Sequence, residues 1–200
     1  MNILKKTDYI ILKEKLINAV SDKRYQHSLR TVTAIKKLAA RFDLNKTDAA
    51  VAGIWHDYAR EWDDTAILKI VKNSVLITPQ NDELVNPVLL HGAAAAVELK
   101  KLIPDLSPAV YSAIRWHTAG STEMGKLGYA LFVSDFIEEG RQHISNEEKL
   151  FIERTASLEE MVYKILSLNF RYLTEQGKPI LTSAIYLKNY LDIKFAEKYD

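Results

Sequence analysis

Apolar positions recur at three- and four-residue spacing along almost the whole chain, the periodicity of amphipathic helices. Val51, Ile54, Trp55 and Tyr58 fall at i, i+3, i+4 and i+7, one apolar stripe. Leu29, Val32, Leu38 and Ala39 carry a similar stripe on an earlier segment. Asn86-Pro87 and Ser107-Pro108 each set a capping side chain before a proline suited to the first helical position, so helices are predicted to begin near 87 and 108. Gly140 and Gly177 suit helix ends, where a left-handed residue is needed. The pattern predicts an all-α protein with helices over 8–20, 22–42, 47–60, 64–73, 87–102, 108–117, 126–140, 147–155, 158–175 and 182–197. Residues 74–86 and 118–125 read as loops. Without a repeat, a low-complexity tract or a Pro/Ser-rich linker, residues 1–200 read as one domain. Its core spans about 20–145, and a helical buttress over about 146–200, which contains no histidine, packs on it.

Composition narrows the chemistry. The 200 residues hold no cysteine, which excludes a disulfide scaffold, a thiolate zinc site, an iron–sulfur cluster and a cysteine nucleophile. Any transition metal must therefore sit on the five histidines and on carboxylates. No run approaches the roughly 20 apolar residues that span a bilayer. The first residues lack an apolar signal core with a small-residue cleavage site, so no membrane partner and a cytoplasmic location are expected. A net charge of +1 gives no whole-molecule field for nucleic acid, and none is expected as a partner. Residues 1–50 do hold eleven basic against five acidic side chains, which reads as solvated helix faces.

Five segments place a polar group in apolar surroundings. His56-Asp57 closes the apolar run Ala49–Trp55, and at a helix end both side chains can converge on an ion beyond the last turn. His27 lies in an earlier helix, His91 near the start of another, and His117 at the end of a fourth. Asp135 interrupts Ala130–Ile137, where an unpaired carboxylate is expensive to bury. Any one of these alone fits a histidine bonded within a packing face, or an aspartate paired with an arginine. All six being structural demands a separate polar partner for each.

The order His27, His56-Asp57, His91, His117, Asp135 resembles that of the HD-domain metal-dependent phosphohydrolases. The segments Gly53–Arg60, Leu90-His91-Gly92, Arg115–Gly120 and Val133–Glu138 with Arg141 are similar to the bacterial YqeK-type subgroup, the symmetrical diadenosine tetraphosphate hydrolases. The likeness covers roughly residues 8–192, with Leu181 standing where the subgroup commonly has a histidine. The resemblance implies an HD-type helical bundle that hydrolyses diadenosine tetraphosphate to two ADP. It implies His27, His56, Asp57 and Asp135 as the metal ligands, with Asp57 suited to bridge to a second ion. His91 and His117 then complete a second site or contact phosphate, which makes all six residues catalytic. It favours iron, with manganese or cobalt also compatible, and it admits a homodimer.

Arg60, one turn beyond Asp57, and Arg141, six residues beyond Asp135, are candidates for the phosphate chain, because a guanidinium fork fits two phosphate oxygens. The competing reading pairs each with Glu61, Asp63 or Glu139 at the surface. Asp57, His91, His117 and Thr118 are the other expected substrate contacts. Trp55, Tyr58 and Trp116 read as packing aromatics, His143 as an exposed surface histidine, and Glu147-Glu148 and Glu159-Glu160 as solvated faces. Two other readings remain: the same site acting on a nucleoside mono- or triphosphate or a guanosine alarmone, and a non-catalytic nucleotide- or RNA-binding module.

Overall fold

Short polar side chains start most of the helices. Ser21, Asn45, Asp63, Ser107, Ser145 and Ser157 each accept a hydrogen bond from a backbone N–H in the first turn that follows, satisfying a donor the helix itself leaves free. In the computed structural model, which describes residues 4–142 and 144–196, the chain is helical with no strand among those residues. The helices are α1 (Lys6–Ile17), α2 (Asp22–Arg41), α3 (Lys46–Trp55), α4 (Asp64–Lys72), α5 (Asn81–Val85), α6 (His91–Leu102), α7 (Pro108–Trp116), α8 (Gly125–Ile137), α9 (Asn146–Glu153), α10 (Leu158–Glu175) and α11 (Thr182–Ala196). A 3-10 turn, Pro87–Leu90, leads into α6.

The centre of the bundle is α2 against α3 and α8, and α7 against α3, α6 and α8. Ile35, Ile54, Trp55, Ile114 and Leu131, all fully buried, fill the space between them. Trp55 stacks on Tyr58 with ring centroids 4.0 Å apart and donates its Nε1–H to the Ala95 carbonyl at 3.0 Å. It therefore packs, as its spacing suggested. α1 covers α3, α10 lies on α8, and α11 on α10, so the histidine-free last quarter braces α8 from outside. No described helix is long and apolar enough to cross a membrane.

The helices expected to end at 20 and 140 stop at Ile17 and Ile137, and other boundaries that differ from the sequence pattern lie at the histidines. The segment expected as helix over 47–60 is helical only to Trp55, where the His56 ring Nδ1 bonds the Gly53 carbonyl at 2.9 Å. That carbonyl is the one the N–H of Asp57 would need to extend the helix. The chain then proceeds through tight turns closed by Tyr58 N–H to Trp55 O and Arg60 N–H to Asp57 O, each at 3.0 Å. His91 and His117 likewise bond the carbonyls of Val88 at 2.7 Å and Ile114 at 2.8 Å. These contacts mark the switch from 3-10 turn to α6 and the end of α7. The predicted loop 74–86 contains α5, whose first turn is closed by the Gln80 N–H donating to the Glu83 carboxylate at 2.9 Å.

Gly177 closes α10 with φ +60°, the left-handed geometry its position required. Gly140 serves a different purpose. α8 ends at Ile137, and a Cβ on Gly140 would lie 2.4 Å from the Arg30 guanidinium, so the glycine makes room for an arginine. The expected surface position of His143 lies outside the described residues.

Candidate metal centre

Each of the six residues comes from a helix end or from one buried helix face. His27 is one turn into α2, His56 caps α3 and Asp57 follows it, His91 opens α6, His117 caps α7, and Asp135 faces inward from α8. The structure brings all six together. His27 Nε2 lies 3.2 Å from His56 Nε2, 3.4 Å from Asp57 Oδ2 and 3.0 Å from Asp135 Oδ1. His56 Nε2 is 3.5 Å from the same Asp57 oxygen and 3.7 Å from Asp135 Oδ1. The other Asp57 oxygen, Oδ1, is 3.0 Å from His91 Nε2 and 3.5 Å from His117 Nε2, and those two nitrogens are 3.0 Å apart. Thr118 Oγ1 stands 3.4 Å from both.

These separations fit a metal. Ligand atoms about 2.0–2.2 Å from one ion are separated from each other by roughly 3.0–3.5 Å. The donor chemistry agrees. The carbonyls on the Nδ1 atoms of His56, His91 and His117 can only accept, so those rings carry a proton on Nδ1 and turn Nε2 inward, which offers a lone pair whenever the ring is neutral. Lone pairs and carboxylates facing one another in a buried space need cations between them. Among the described residues, two sets bring one ligand atom each within 4.8 Å of one another: His27, His56 and Asp135, and His56, Asp57 and His117.

In the protein alone, protons and arginines supply the positive charge. Burial opposes a charge on His27, but hydrogen bonds to Asp135, Asp57 and Glu138 outweigh it and raise its pKa to about 10. Burial also opposes ionisation of Asp57, yet the His56 charge and hydrogen bonds from His117, His27 and His91 hold its carboxyl well below the usual range. Asp135 behaves in the same way through His27, His56 and Arg141. His91 is pushed down by its burial. Arg24 donates to Asp57 Oδ2 and Arg141 to Asp135 Oδ1, the same two oxygens that face His27.

Of the residues expected to meet substrate, Asp57, His91, His117, Thr118 and Arg141 are gathered here. Arg60 is half-buried and makes no ion pair among the described residues, neither with the centre nor with Glu61, Asp63 or Glu139. Glu61 instead accepts from Ser21, through N–H at 2.8 Å and Oγ–H at 2.6 Å. Sequence reasoning gave no role to Arg24, Arg30 or Glu138. Their signal was helical spacing, since Arg24 and Arg30 lie three residues either side of His27, and Glu138 three beyond Asp135. A groove of about 810 Å³ opens beside Thr118, between Phe136 and the α10–α11 connection, with Asn169 and Leu181 among its walls.

Gly92 holds the second half of the cluster together. A Cβ there would stand 2.6 Å from the Ile114 carbonyl oxygen and 2.9 Å from His117 Nδ1. Gly92→Ala is therefore expected to push α6 from α7, at a cost of about 1–3 kcal/mol, and to displace the His117 ring. Urea unfolding checks the first effect and the histidine resonances of an NMR spectrum the second. Unchanged values for both would mean that the two helices separate freely.

A profile of the HD domain matches residues 24–189. The chain belongs to the HD-domain family. Among relatives of this HD-domain protein is a Staphylococcus aureus protein named bis(5'-nucleosyl)-tetraphosphatase, symmetrical. It is 29% identical over 182 residues, covering 90% of each chain. A Bacillus subtilis protein of the same name is 24% identical over 172 residues, 86% of this chain and 91% of that one. A crystal structure from Clostridium acetobutylicum, described as a predicted HD superfamily hydrolase involved in NAD metabolism, superposes with a TM-score of 0.86 at 25% identity. The match covers 96% of this chain and all of the other. Kinship makes this HD-domain protein a hydrolase, and its histidine–aspartate cluster is one that can hold metal.

Proposed function

We propose that the protein hydrolyses diadenosine tetraphosphate symmetrically, releasing two ADP. The observation that carries the reading is the division of the Asp57 carboxylate, with Oδ2 turned to His27 and His56 and Oδ1 to His91 and His117. That is the disposition of a residue shared by two cation sites, as in-line displacement at phosphorus uses them. Relatives named for symmetrical tetraphosphatase activity, matched over most of the chain, support the substrate.

In this reading His27, His56, Asp57 and Asp135 hold one cation, and His91 and His117, with Asp57, hold a second or contact phosphate. Divalent cations supply charge neutralisation on the phosphoryl oxygens and an acidified water at neutral pH. Iron suits a set of imidazoles and carboxylates with no thiolate, and manganese or cobalt suits it as well.

The protein's own groups do the rest. The backbone carbonyls on Nδ1 fix the three imidazoles they touch. Arg24 and Arg141, once cations take their share of the Asp57 and Asp135 oxygens, have guanidinium N–H groups to turn toward phosphate. Arg24 already has a buried Nε with no hydrogen-bond partner among the described residues. Thr118 stands where the centre meets the groove, and the groove's volume falls in the range of roughly 300–1,000 Å³ used for small ligands. A nucleoside placed there has Thr118 between it and the histidines, and attack at the middle of its phosphate chain would give two equal halves.

Protein purified with its metal retained and given diadenosine tetraphosphate should yield ADP alone on anion-exchange chromatography. AMP with ATP, or no turnover by metal-loaded protein, overturns the symmetrical assignment. A panel of nucleoside mono- and triphosphates and guanosine alarmones in the same assay should be cleaved far more slowly.

A further inference from the structure

Of the four clustered histidines, His27 alone lies inside a helix instead of at a helix end. His56, His91 and His117 each bond the carbonyl three residues earlier, at a place where regular helix starts or stops. Mid-helix, the carbonyls around His27 are committed to the α2 ladder, so its Nδ1 needs an acceptor from another element. That acceptor is the Glu138 carboxylate, 111 residues away at the end of α8 and 3.2 Å distant. Glu138 is 3% exposed, and its second oxygen is fully engaged. Arg30 Nε donates to it at 2.5 Å and the Gly140 N–H at 2.6 Å. The Arg30 guanidinium in turn occupies the space that a side chain on residue 140 would fill. Lys149 Nζ donates to the Glu138 carbonyl at 3.1 Å and ties the same corner to α9.

We infer that Glu138, braced by Arg30 and the Gly140 N–H, is a positioning residue that fixes the His27 ring and strengthens its Nε2 as a metal donor. The inference rests on reading the cluster as a metal centre, but not on any substrate. A carboxylate behind an imidazole keeps the proton on Nδ1, leaves Nε2 as a lone pair and makes that lone pair more basic than a neutral carbonyl does. His27 thereby becomes the strongest imidazole donor of the four. Arg30 keeps the carboxylate aimed at the ring, because its Nε–H and the Gly140 N–H together hold one oxygen and leave the other to the His27 ring, with Arg141 Nε 3.9 Å away.

The test is Co2+ titrated into metal-stripped protein, followed by calorimetry and by the visible absorption of the bound ion. Glu138→Ala should weaken the site by about 10–100-fold, the usual effect of losing such a partner, and should alter the absorption spectrum. Glu138→Gln, which can still accept from Nδ1–H, should recover part of the affinity. Arg30→Ala leaves every ligand and Glu138 in place and alters only a half-exposed side chain, so it should fold normally and still lower the affinity by a smaller factor. Wild-type Co2+ affinity and spectrum in folded Glu138→Ala and Arg30→Ala would overturn the positioning role while leaving the metal centre intact. Wild-type protein that takes up no Co2+ would overturn the metal-centre reading itself, and the inference with it.

Discussion

Asp57→Ala is expected to abolish turnover and to leave the purified protein with little of its metal, while the helical circular dichroism spectrum stays near wild type. The carboxylate is 3% exposed and both of its oxygens are in use, each within 3.0–3.5 Å of two imidazole nitrogens. No other side chain of the cluster touches both halves so closely. Its removal leaves His91 and His117 with no carboxylate at hydrogen-bond distance among the described residues, and leaves Asp135 as the one carboxylate there that faces both His27 Nε2 and His56 Nε2, with Glu138 behind the His27 ring. Changing a group behind a ligand typically costs about 10–100-fold in metal affinity or activity, and loss of the shared ligand itself should exceed that. The fold should tolerate the change, because Asp57 lies just beyond the last turn of α3 and it is its backbone carbonyl, not its side chain, that closes the turn that follows. Arg24 loses its carboxylate partner, yet it lies partly exposed with Glu61 4.0 Å away, so its charge is not stranded. Metal content by elemental analysis and initial rates on diadenosine tetraphosphate check the prediction. Retention of both would contradict a shared role for Asp57. Asp57→Asn keeps the shape but removes the charge and leaves one neutral acceptor oxygen, and it should fall between alanine and wild type in metal content.

The helical fold was legible because one short-range signal, the three-to-four-residue apolar period, is written along nearly the whole chain. The clustered residues were legible for a related reason, since His56, Asp57 and Asp135 interrupt apolar runs in which a polar group needs a purpose. What escaped depends on contacts between distant segments. Glu138 stands near the end of the predicted helix 126–140 without a role until α8 is set against α2, which places it behind a histidine 111 residues away. Arg24 reads as one of many lysines and arginines in a basic N-terminal stretch, and only the packing of α2 on α3 turns it toward Asp57. Gly140 was assigned to a helix end because glycine often serves there, whereas its reason for being small is the arginine laid across it. The imidazole-to-carbonyl bonds explain why the boundaries near 56 and 91 moved. A ring that fixes its own tautomer on the local backbone takes an acceptor from the helix ladder, a competition that residue periodicity does not register.

The largest effect on stability is expected from Glu83→Ala, in the segment whose helix the sequence pattern missed. Arg115 donates to the two Glu83 oxygens in parallel, Nη1 to Oε1 at 2.8 Å and Nη2 to Oε2 at 2.7 Å, with the side chains 6% and 1% exposed. The Arg115 guanidinium also lies 3.9 Å over the Trp116 ring, in the turn that ends at His117. Removing the carboxylate strands a cation that cannot lose its proton in a space water does not reach, and breaking one side of such a pair costs about 3–5 kcal/mol. α5 should loosen with it, because Glu83 also accepts from the Gln80 N–H. The penalty comes from the orphaned charge more than from the lost attraction, since two ions desolvated together roughly cancel their own gain. The double variant Glu83→Met with Arg115→Met should therefore recover most of the stability that either single methionine change loses, and urea denaturation of wild type, the two single methionine variants and the double variant closes the cycle. If Glu83→Ala costs less than about 1 kcal/mol, water reaches Arg115 and the pair is a surface one in solution. If the double variant is as unstable as the single ones, the guanidinium contributes through its stacking on Trp116, and His117 is then held in place by that stack.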